Sequence, residues 1–338
     1  MSPKGPSGTS RGSGTSRGSG GSADRGRMSP SLRGRPASQV EIEGHRLRLS
    51  NLDKVLYPEA GFTKAQVVDY YARTGAVMVS HLVDRPVTLV RWPDGVESQS
   101  FFEKRCPSHA PKWMRSASVS GDLVQCVLDN LASLVWAANM AALELHTPQA
   151  RVSSPDRPDS MVFDLDPGPG ATVLDCCRVG LDLRGVLAEL GLESVVKTSG
   201  SKGLHMAVPL HTDVTDDDTK DFARALGQVL AKREPDRVTV IMKKEERPGK
   251  VFVDWSQNDE HKTTICAYSL RGRARPLVST PVSWDEVSDA LDDNDPDALT
   301  FEAPEVLERV ERIGDLYAPN LALEQELPSL GPQRTRRS

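Results

Sequence analysis

Long hydrophobic runs are missing from this chain. No stretch approaches the roughly 18 apolar residues that a membrane span needs, and the N-terminus lacks the apolar core of a secretory signal. No membrane partner is expected. Cysteine is scarce and unpatterned: Cys106, Cys126, Cys176, Cys177 and Cys266 are odd in number and form no C-x-x-C pair. That excludes a disulfide scaffold and leads to an expectation of reduced thiols in a cytoplasmic protein. Cys106 and His109 offer half of a zinc-type spacing, with no second half in view. The phosphate-binding pattern G-x-x-x-x-G-K-[ST] is also absent, which removes a P-loop nucleotide site.

What remains is an ordinary balance of 38% hydrophobic and 26% charged residues, enough to bury a sizeable core. The length suits two domains or one larger one. Charge is unevenly spread. Residues 1–38 hold seven basic residues and one acid, +6, so the other 300 carry −11 of the overall −5. This leader repeats "TSRGSG" at Thr9–Gly14 and Thr15–Gly20 and has almost nothing apolar to bury, so it reads as a disordered tail. It is either a solubilising leader or a weak electrostatic grip on nucleic acid. The expected organisation is this tail, a folded domain over 39–322, and a frayed end over 323–338.

Within the folded part, helix and strand patterns alternate. Arg85–Trp92 is a β-branched strand candidate, and short β-rich pieces fall at Val195–Lys197, Leu204–Pro209, Val238–Met242, Val251–Trp255 and Thr263–Leu270. Helical spacing covers Asp129–Leu145, Thr172–Leu190 and Asp217–Arg233, with a trailing helix in the Pro-rich 304–332 region.

Three segments carry polar groups that packing does not explain. "MVFDLDPGPG", Met161–Gly170, places Asp164 and Asp166 on one face of an apolar strand, with Phe163 and Leu165 on the other. Their Cα atoms lie about 6.7 Å apart. Two bare carboxylates so close repel each other and resist burial, so the pair asks for a cation or a shared proton. "KTSGSKGLHMAV", Lys197–Val208, surrounds Lys202 with Ser199, Gly200, Ser201 and Gly203 and opens the next strand at His205. Consecutive N–H groups in such a turn can form an anion nest. "KVFVDWSQN", Lys250–Asn258, ends a strand on Asp254, a position more often filled by a cap or turn residue. Together, three strand-end carboxylates can hold two divalent cations, and a Lys/His/Ser-lined turn suits a triphosphate, so the set points to phosphoryl or nucleotidyl transfer.

These motifs, in this order, resemble those of the polymerase domain of bacterial ligase D, the end-joining branch of the archaeo-eukaryotic primase-polymerase superfamily. The likeness extends to Leu49–Lys64, Ser100–Pro107, Leu143–Gln149 and Lys262–Arg273, and covers roughly residues 45 to 320. It implies an α/β (α+β) fold: a catalytic core with a sheet like an RNA-recognition motif, a second sheet, and flanking helices. Asp164, Asp166 and Asp254 would be the catalytic metal ligands for two ions of Mn²⁺ or Mg²⁺. Ser199, Lys202, His205 and Arg271 would hold the incoming triphosphate, with His146 near its sugar and Phe101 or Phe102 stacked on a base. Asn51, Lys54 and Lys64 would bind the 5′-phosphate at a gap or break. Arg247, Gln257 and Lys262 would make further active-site or template contacts, although some family members carry Arg where this chain has Gln257. Phe101 and Phe102 as core residues, and His146 as a cap, stay open as structural alternatives.

The implied activity is addition of nucleotides, ribonucleotides preferred, to DNA 3′ ends at gaps and double-strand breaks, with or without a template, in non-homologous end joining. The implied partners are DNA ends, nucleoside triphosphates, bacterial Ku and a separate ATP-dependent DNA ligase, in a nucleoid-associated cytoplasmic setting. No ligase K-x-D-G signature is present, which suggests a free-standing polymerase or an excised domain. Two rivals accompany this reading. A haloacid-dehalogenase-type phosphatase would use Asp164 as nucleophile, but it expects Thr after the aspartate pair and a late Asp where Pro319 stands. A non-catalytic end-binding module would not need three intact carboxylates.

Overall fold

A computed structural model describes residues 38–328. The expected N-terminal tail therefore lies outside the described residues, apart from Ser38, which is already in a strand (Ser38–Ile42). At the other end, Gln325 is anchored within the segment expected to fray. Gln325 donates its side-chain amide to the Glu193 and Pro209 carbonyls and its backbone N–H to the Leu210 carbonyl.

Two six-stranded sheets organise the domain. The catalytic sheet runs in the order Val238–Thr239, Val251–Asp254, Ser160–Pro167, Leu204–Pro209, Val195–Thr198, Pro281–Val282. Every pairing in it is antiparallel except that between the first two strands. Its odd-numbered central side chains, Phe163 and Leu165, are fully buried in a core with Leu183 and Leu187 of the helix Val173–Glu189 and Phe222 of the helix Asp216–Arg233. The strand alternation read from the sequence is therefore the alternation observed. The two helices also begin as expected. Thr215 caps the Asp216–Arg233 helix in a capping box with Asp218, and Thr172 stands at the N-cap of the Val173–Glu189 helix.

The second sheet has Pro86–Arg91 at its centre, flanked by Ala142–Thr147 and Leu123–Val127, with Phe101–Glu103 pairing along the outer part of the same strand. Its core is built with Tyr70, Tyr71 and Met78 of a long helix, Lys64–Leu82, and Leu134 of a short one, Leu131–Asn139. Buried phenols are tied off: Tyr70 donates to the Tyr268 carbonyl at 2.8 Å and Tyr71 to the Leu143 carbonyl at 2.6 Å. Val162 and Ala207 on the cleft-side face of the catalytic sheet belong to this second core. Residues 162, 164 and 166 share a face, so that strand starts packed between the sheets and ends with its two aspartates half-buried at a cleft.

Two sequence expectations need correction. The helix expected over Asp129–Leu145 stops at Asn139; the chain reverses at Ala141 (φ 57°) and continues as a strand over Ala142–Thr147. Residues 142–145 are all buried, and a fully buried run has no periodicity that separates strand from helix. Cys106 and Cys126 form a disulfide across 20 residues, joining the segment after Phe101–Glu103 to the Leu123–Val127 strand, with Cα atoms 4.8 Å apart. Spacing carried no sign of this pair, and it also removes Cys106 from any zinc site. Cys176, Cys177 and Cys266 are free and buried, as expected of thiols. Among the described residues no helix is long and apolar enough to cross a membrane.

Candidate active site

Sheet register assembles the site. Asp254 lies directly opposite Asp164 across one pairing, and His205 lies directly opposite Asp164 across the other. Lys197 is in turn opposite His205. One row of side chains, Asp254–Asp164–His205–Lys197, thus crosses four strands, with Asp166 two residues along from Asp164 on the same face. Facing pairs on antiparallel strands have Cβ atoms about 4.5–5.5 Å apart, close enough for like charges to repel.

The carboxylates respond differently. Burial alone would raise the Asp164 pKa, but the charges of His205, Lys197 and Arg271 outweigh it and hold the group below its ordinary range. His205 Nε2 is 3.2 Å from Asp164 Oδ1, yet the contact is poorly aligned, and that oxygen is buried without a directed hydrogen bond. Asp166 goes the other way. Burial, then the charges of Asp164 and Asp254, push its pKa up to about 6. An orphaned buried carboxylate oxygen beside a carboxyl made to resist ionisation is the arrangement a divalent cation relieves.

Asp254 is turned partly away. Its Oδ1 accepts from Ser256 N and Oγ at 3.0 and 2.6 Å, and its Oδ2 accepts from Gln257 Nε2 at 3.0 Å. The bland reading of this residue, a cap, is therefore also true, and among the described residues no three ligating side chains converge as a preformed metal cage. A carboxylate has lone pairs left after three such bonds, so the donor set still fits a divalent cation with Asp164 and Asp166 in front and Asp254 reorienting.

The glycine turn backs against the same strand. Gly200 sits at φ 65°, and a Cβ on Gly203 would lie 2.0 Å from the Leu165 carbonyl oxygen, so only glycine permits that approach. Ser199 closes the turn: its hydroxyl accepts from Ser201 N at 3.2 Å and Gly203 N at 3.1 Å. Those two N–H groups are thus committed inside the loop rather than forming the expected nest, and the anion-facing cations become side chains. Exposed Lys202, with Arg247, Arg271, Lys244 and Arg273, lines a cleft of about 730 Å³ into which Asp164, Asp166, His146, His205 and Gln257 also open. Arg271 is held by Glu144, whose carboxylate lies 3.2 Å from its Nε, accepts from Gly272 N at 3.0 Å and accepts from His146 Nε2 at 2.9 Å. Arg247 stacks 3.6 Å over the Phe252 ring and donates to the Met242 carbonyl at 2.7 Å.

Other expected residues lie outside this cleft. Phe101 and Phe102 are 51% and 70% exposed, which removes the reading of either as core and leaves two aromatic faces open to solvent. Lys262 is exposed beyond the cleft rim. Asn51, Lys54 and Lys64 form a separate cluster. Lys64, the first residue of its helix, is 6% exposed and donates to the Ser50 carbonyl at 2.7 Å; Lys54 bonds Asp94 at 2.6 Å; and Asn51 is exposed at φ 52°. Burial, then the charges of Lys54 and Arg91, lower the Lys64 pKa to about 8. A cation buried at a helix N-terminus, next to another cation, is a place where an anion is favoured. Sequence reasoning missed Lys197, Glu144, Lys244 and Arg273. Arg273 was within reach, since it shares the "RGR" segment with Arg271.

Comparison with known proteins agrees with this geometry. The family model described as LigD, primase-polymerase domain, matches residues 63–317. The multifunctional non-homologous end joining protein LigD of Mycolicibacterium smegmatis is 43% identical over 298 residues, covering 87% of this chain and 38% of that protein. The LigD of Pseudomonas aeruginosa is 35% identical over 263 residues, 74% of this chain and 30% of its own length. The chain thus spans under two fifths of these relatives. Among solved structures, the polymerase domain of Mycobacterium tuberculosis ligase D, in complex with DNA, matches with a TM-score of 0.76 at 41% identity, over 82% of this chain and 98% of that one. With the family model matched over residues 63–317 and relatives more than 40% identical along most of its length, the chain belongs to the LigD primase-polymerase domain family.

Proposed function

We propose that this chain is a metal-dependent nucleotidyltransferase that extends DNA 3′ ends at gaps and double-strand breaks, with ribonucleotides preferred. The observation that carries the reading is the facing of Asp164 and Asp254 across a strand pairing, with Asp164 and Asp166 opening into a cleft that five cationic side chains also line. A triphosphate fits the cationic wall, and Asp164, Asp166 and Asp254 would hold Mn²⁺ or Mg²⁺. Two such ions, when bound, activate an attacking 3′ oxygen and neutralise the leaving pyrophosphate. The chain's own residues do the rest. Lys202, Arg271 and His205 fix the triphosphate, Glu144 keeps Arg271 and His146 at the cleft wall, and Phe101 or Phe102 offers a base-stacking platform. Bacterial Ku and a separate ligase are the proposed partners in end joining, in the nucleoid-associated cytoplasm, with Lys262 and Arg247 on the DNA side.

Lys202→Ala should raise the apparent nucleotide KM by about tenfold to a hundredfold, the worth of a hydrogen bond to a charged group, with kcat lowered if the ammonium also meets charge developing in the transition state. Steady-state kinetics decide the matter. Unchanged KM and kcat would leave Lys202 a solvated loop residue.

The 5′-phosphate cluster gives the test that separates gap filling from generic polymerisation. Binding to a gapped duplex should weaken when the downstream 5′-phosphate is removed, and Lys54→Ala should erase that difference while cutting the salt slope of binding by up to about one unit. Untemplated addition to a plain single strand should barely change, because the carboxylates are untouched. Equal affinity of the unmodified protein for phosphorylated and hydroxyl-ended gaps would remove the end-joining part of the proposal.

A further inference from the structure

Two segments share one edge of the Pro86–Arg91 strand. Leu123–Val127 pairs with its first part, Pro86 and Val87, and Phe101–Glu103 pairs with its last, Leu89 to Arg91. Running antiparallel, the chain leaves Glu103 and arrives beside Leu123–Val127. There Cys106 N donates to the Val124 carbonyl at 2.8 Å, and the Cys106 sulfur is bonded to that of Cys126. The disulfide thus fastens the junction between the strand that carries Phe101 and Phe102 and the strand next along the same edge.

Little else holds Phe101–Glu103 down. It pairs at three positions, and its two exposed rings bury too little apolar surface to anchor it. Glu103 is ion-paired with Arg91 at 2.5 Å, and Arg105 with Asp122 at 3.1 Å, the second between largely exposed side chains, where such pairs contribute little. A short edge strand with few buried contacts is the kind of element that opens locally. Covalent closure across 20 residues to Cys126 restricts that opening. The bond is also reachable. Cys126 is 2% exposed, but Cys106 is only partly buried, so a small thiol or disulfide meets Cys106 first. Cys176, Cys177 and Cys266 are free and buried, so among the described residues sulfur exchange with solvent reagents is confined to this pair.

We propose that Cys106–Cys126 is a redox-operated clasp on a surface for single-stranded nucleic acid. Oxidised, it holds Phe101 and Phe102 as a stacking face for bases; reduced, it lets that face loosen. This rests on the reading of the two rings as a base-stacking platform. In the oxidising direction the Cys106 thiolate attacks a low-molecular-weight disulfide and expels one thiol. The Cys126 thiolate then attacks the Cys106 sulfur of the mixed disulfide and expels the second. Two electrons and two protons pass from the protein to the reagent, and an excess of small thiol drives both steps backwards. An aromatic face already held in place takes up bases at a smaller ordering cost than one that must be fixed on binding.

The test compares the two states of the full chain, oxidised with glutathione disulfide or reduced with dithiothreitol, by titration against a fluorescent oligothymidylate strand. Reduction should weaken binding about fivefold to tenfold, reversibly. It should also speed hydrogen exchange at Phe101–Glu103 while leaving the catalytic sheet as it was. Cys106→Ser should bind like the reduced protein and ignore dithiothreitol, and the double variant Phe101→Ala/Phe102→Ala should bind weakly in both states. Equal affinity of the oxidised and reduced protein would overturn the proposal, as would a redox effect that survives the loss of both rings. A bond that dithiothreitol cannot open in the folded chain, or that glutathione disulfide cannot reform, overturns it without recourse to any variant. Exchange at Phe101–Glu103 that quickens on reduction, in a protein that binds no strand in either state, would uphold the clasp and remove the stacking reading instead.

Discussion

Alanine at Asp164 or at Asp254 should abolish the proposed nucleotide addition by the purified protein, with losses on the order of a thousandfold or more, since several kcal/mol of charge stabilisation would vanish with the cation. The two variants should differ in how well they fold. Asp164→Ala relieves repulsion on Asp166 but also removes the carboxylate that His205, Lys197 and Arg271 hold below its ordinary pKa, so its thermal stability should fall through lost ion pairing rather than a lost cap. Asp254 accepts from Ser256 and Gln257, so Asp254→Ala also loses a cap worth about 1 kcal/mol. Asp254→Asn, which preserves most of that cap, separates the two effects. Primer extension alongside circular dichroism checks both. Near-normal extension by either folded alanine variant would remove the two-metal assignment.

Asp166→Asn should inactivate the protein and stabilise its metal-free form. The carboxyl's pKa of about 6 in the fold lies above the 3.8 of an ordinary aspartate, so between those values the folded chain binds more protons than the unfolded one. Stability therefore falls as pH rises through that window, and the full deficit stands above pH 6, on the order of 2 kcal/mol because the group is coupled to Asp164 and Asp254. Replacing the carboxylate by an amide lifts that deficit. The metal-free variant should melt roughly 4 °C higher than the unmodified protein at pH 7.5, with the gap closing below about pH 4. Added Mn²⁺ should raise the melting temperature of the unmodified protein and move the variant little. A variant that melts lower at pH 7.5, or that gains as much from Mn²⁺, would show that Asp166 is not a carboxylate under strain awaiting a cation. Active sites commonly trade stability in this way.

Much of the catalytic half was legible because its signal is local. Strand alternation alone put Asp164 and Asp166 on the cleft face and Phe163 and Leu165 in the core, and glycines at 200 and 203 marked the tight turn that carries Lys202. What escaped depends on register between distant strands. Nothing near Lys197 in the chain signals that it would face His205 across a pairing, or that Glu144 would bridge His146 and Arg271. The Ala142–Thr147 strand was misread as helix because every residue around Glu144 is buried, and the Cys106–Cys126 pair has no spacing rule to reveal it. Asp254 shows that two readings of one residue need not compete: it caps the turn that follows it and still faces Asp164. Lys64, expected at the 5′-phosphate, has a burial that nothing in the sequence signals: it sits buried at the start of its helix.

The most direct measurement is extension of a labelled primer across a short gap bearing a downstream 5′-phosphate, by the purified chain, with ribo- or deoxynucleoside triphosphates. The account predicts nucleotide addition with Mn²⁺ or Mg²⁺, ribonucleotides used more efficiently, none in the presence of EDTA and none from Asp164→Ala. Failure to extend with either metal, or extension that survives both EDTA and the loss of Asp164, would contradict it.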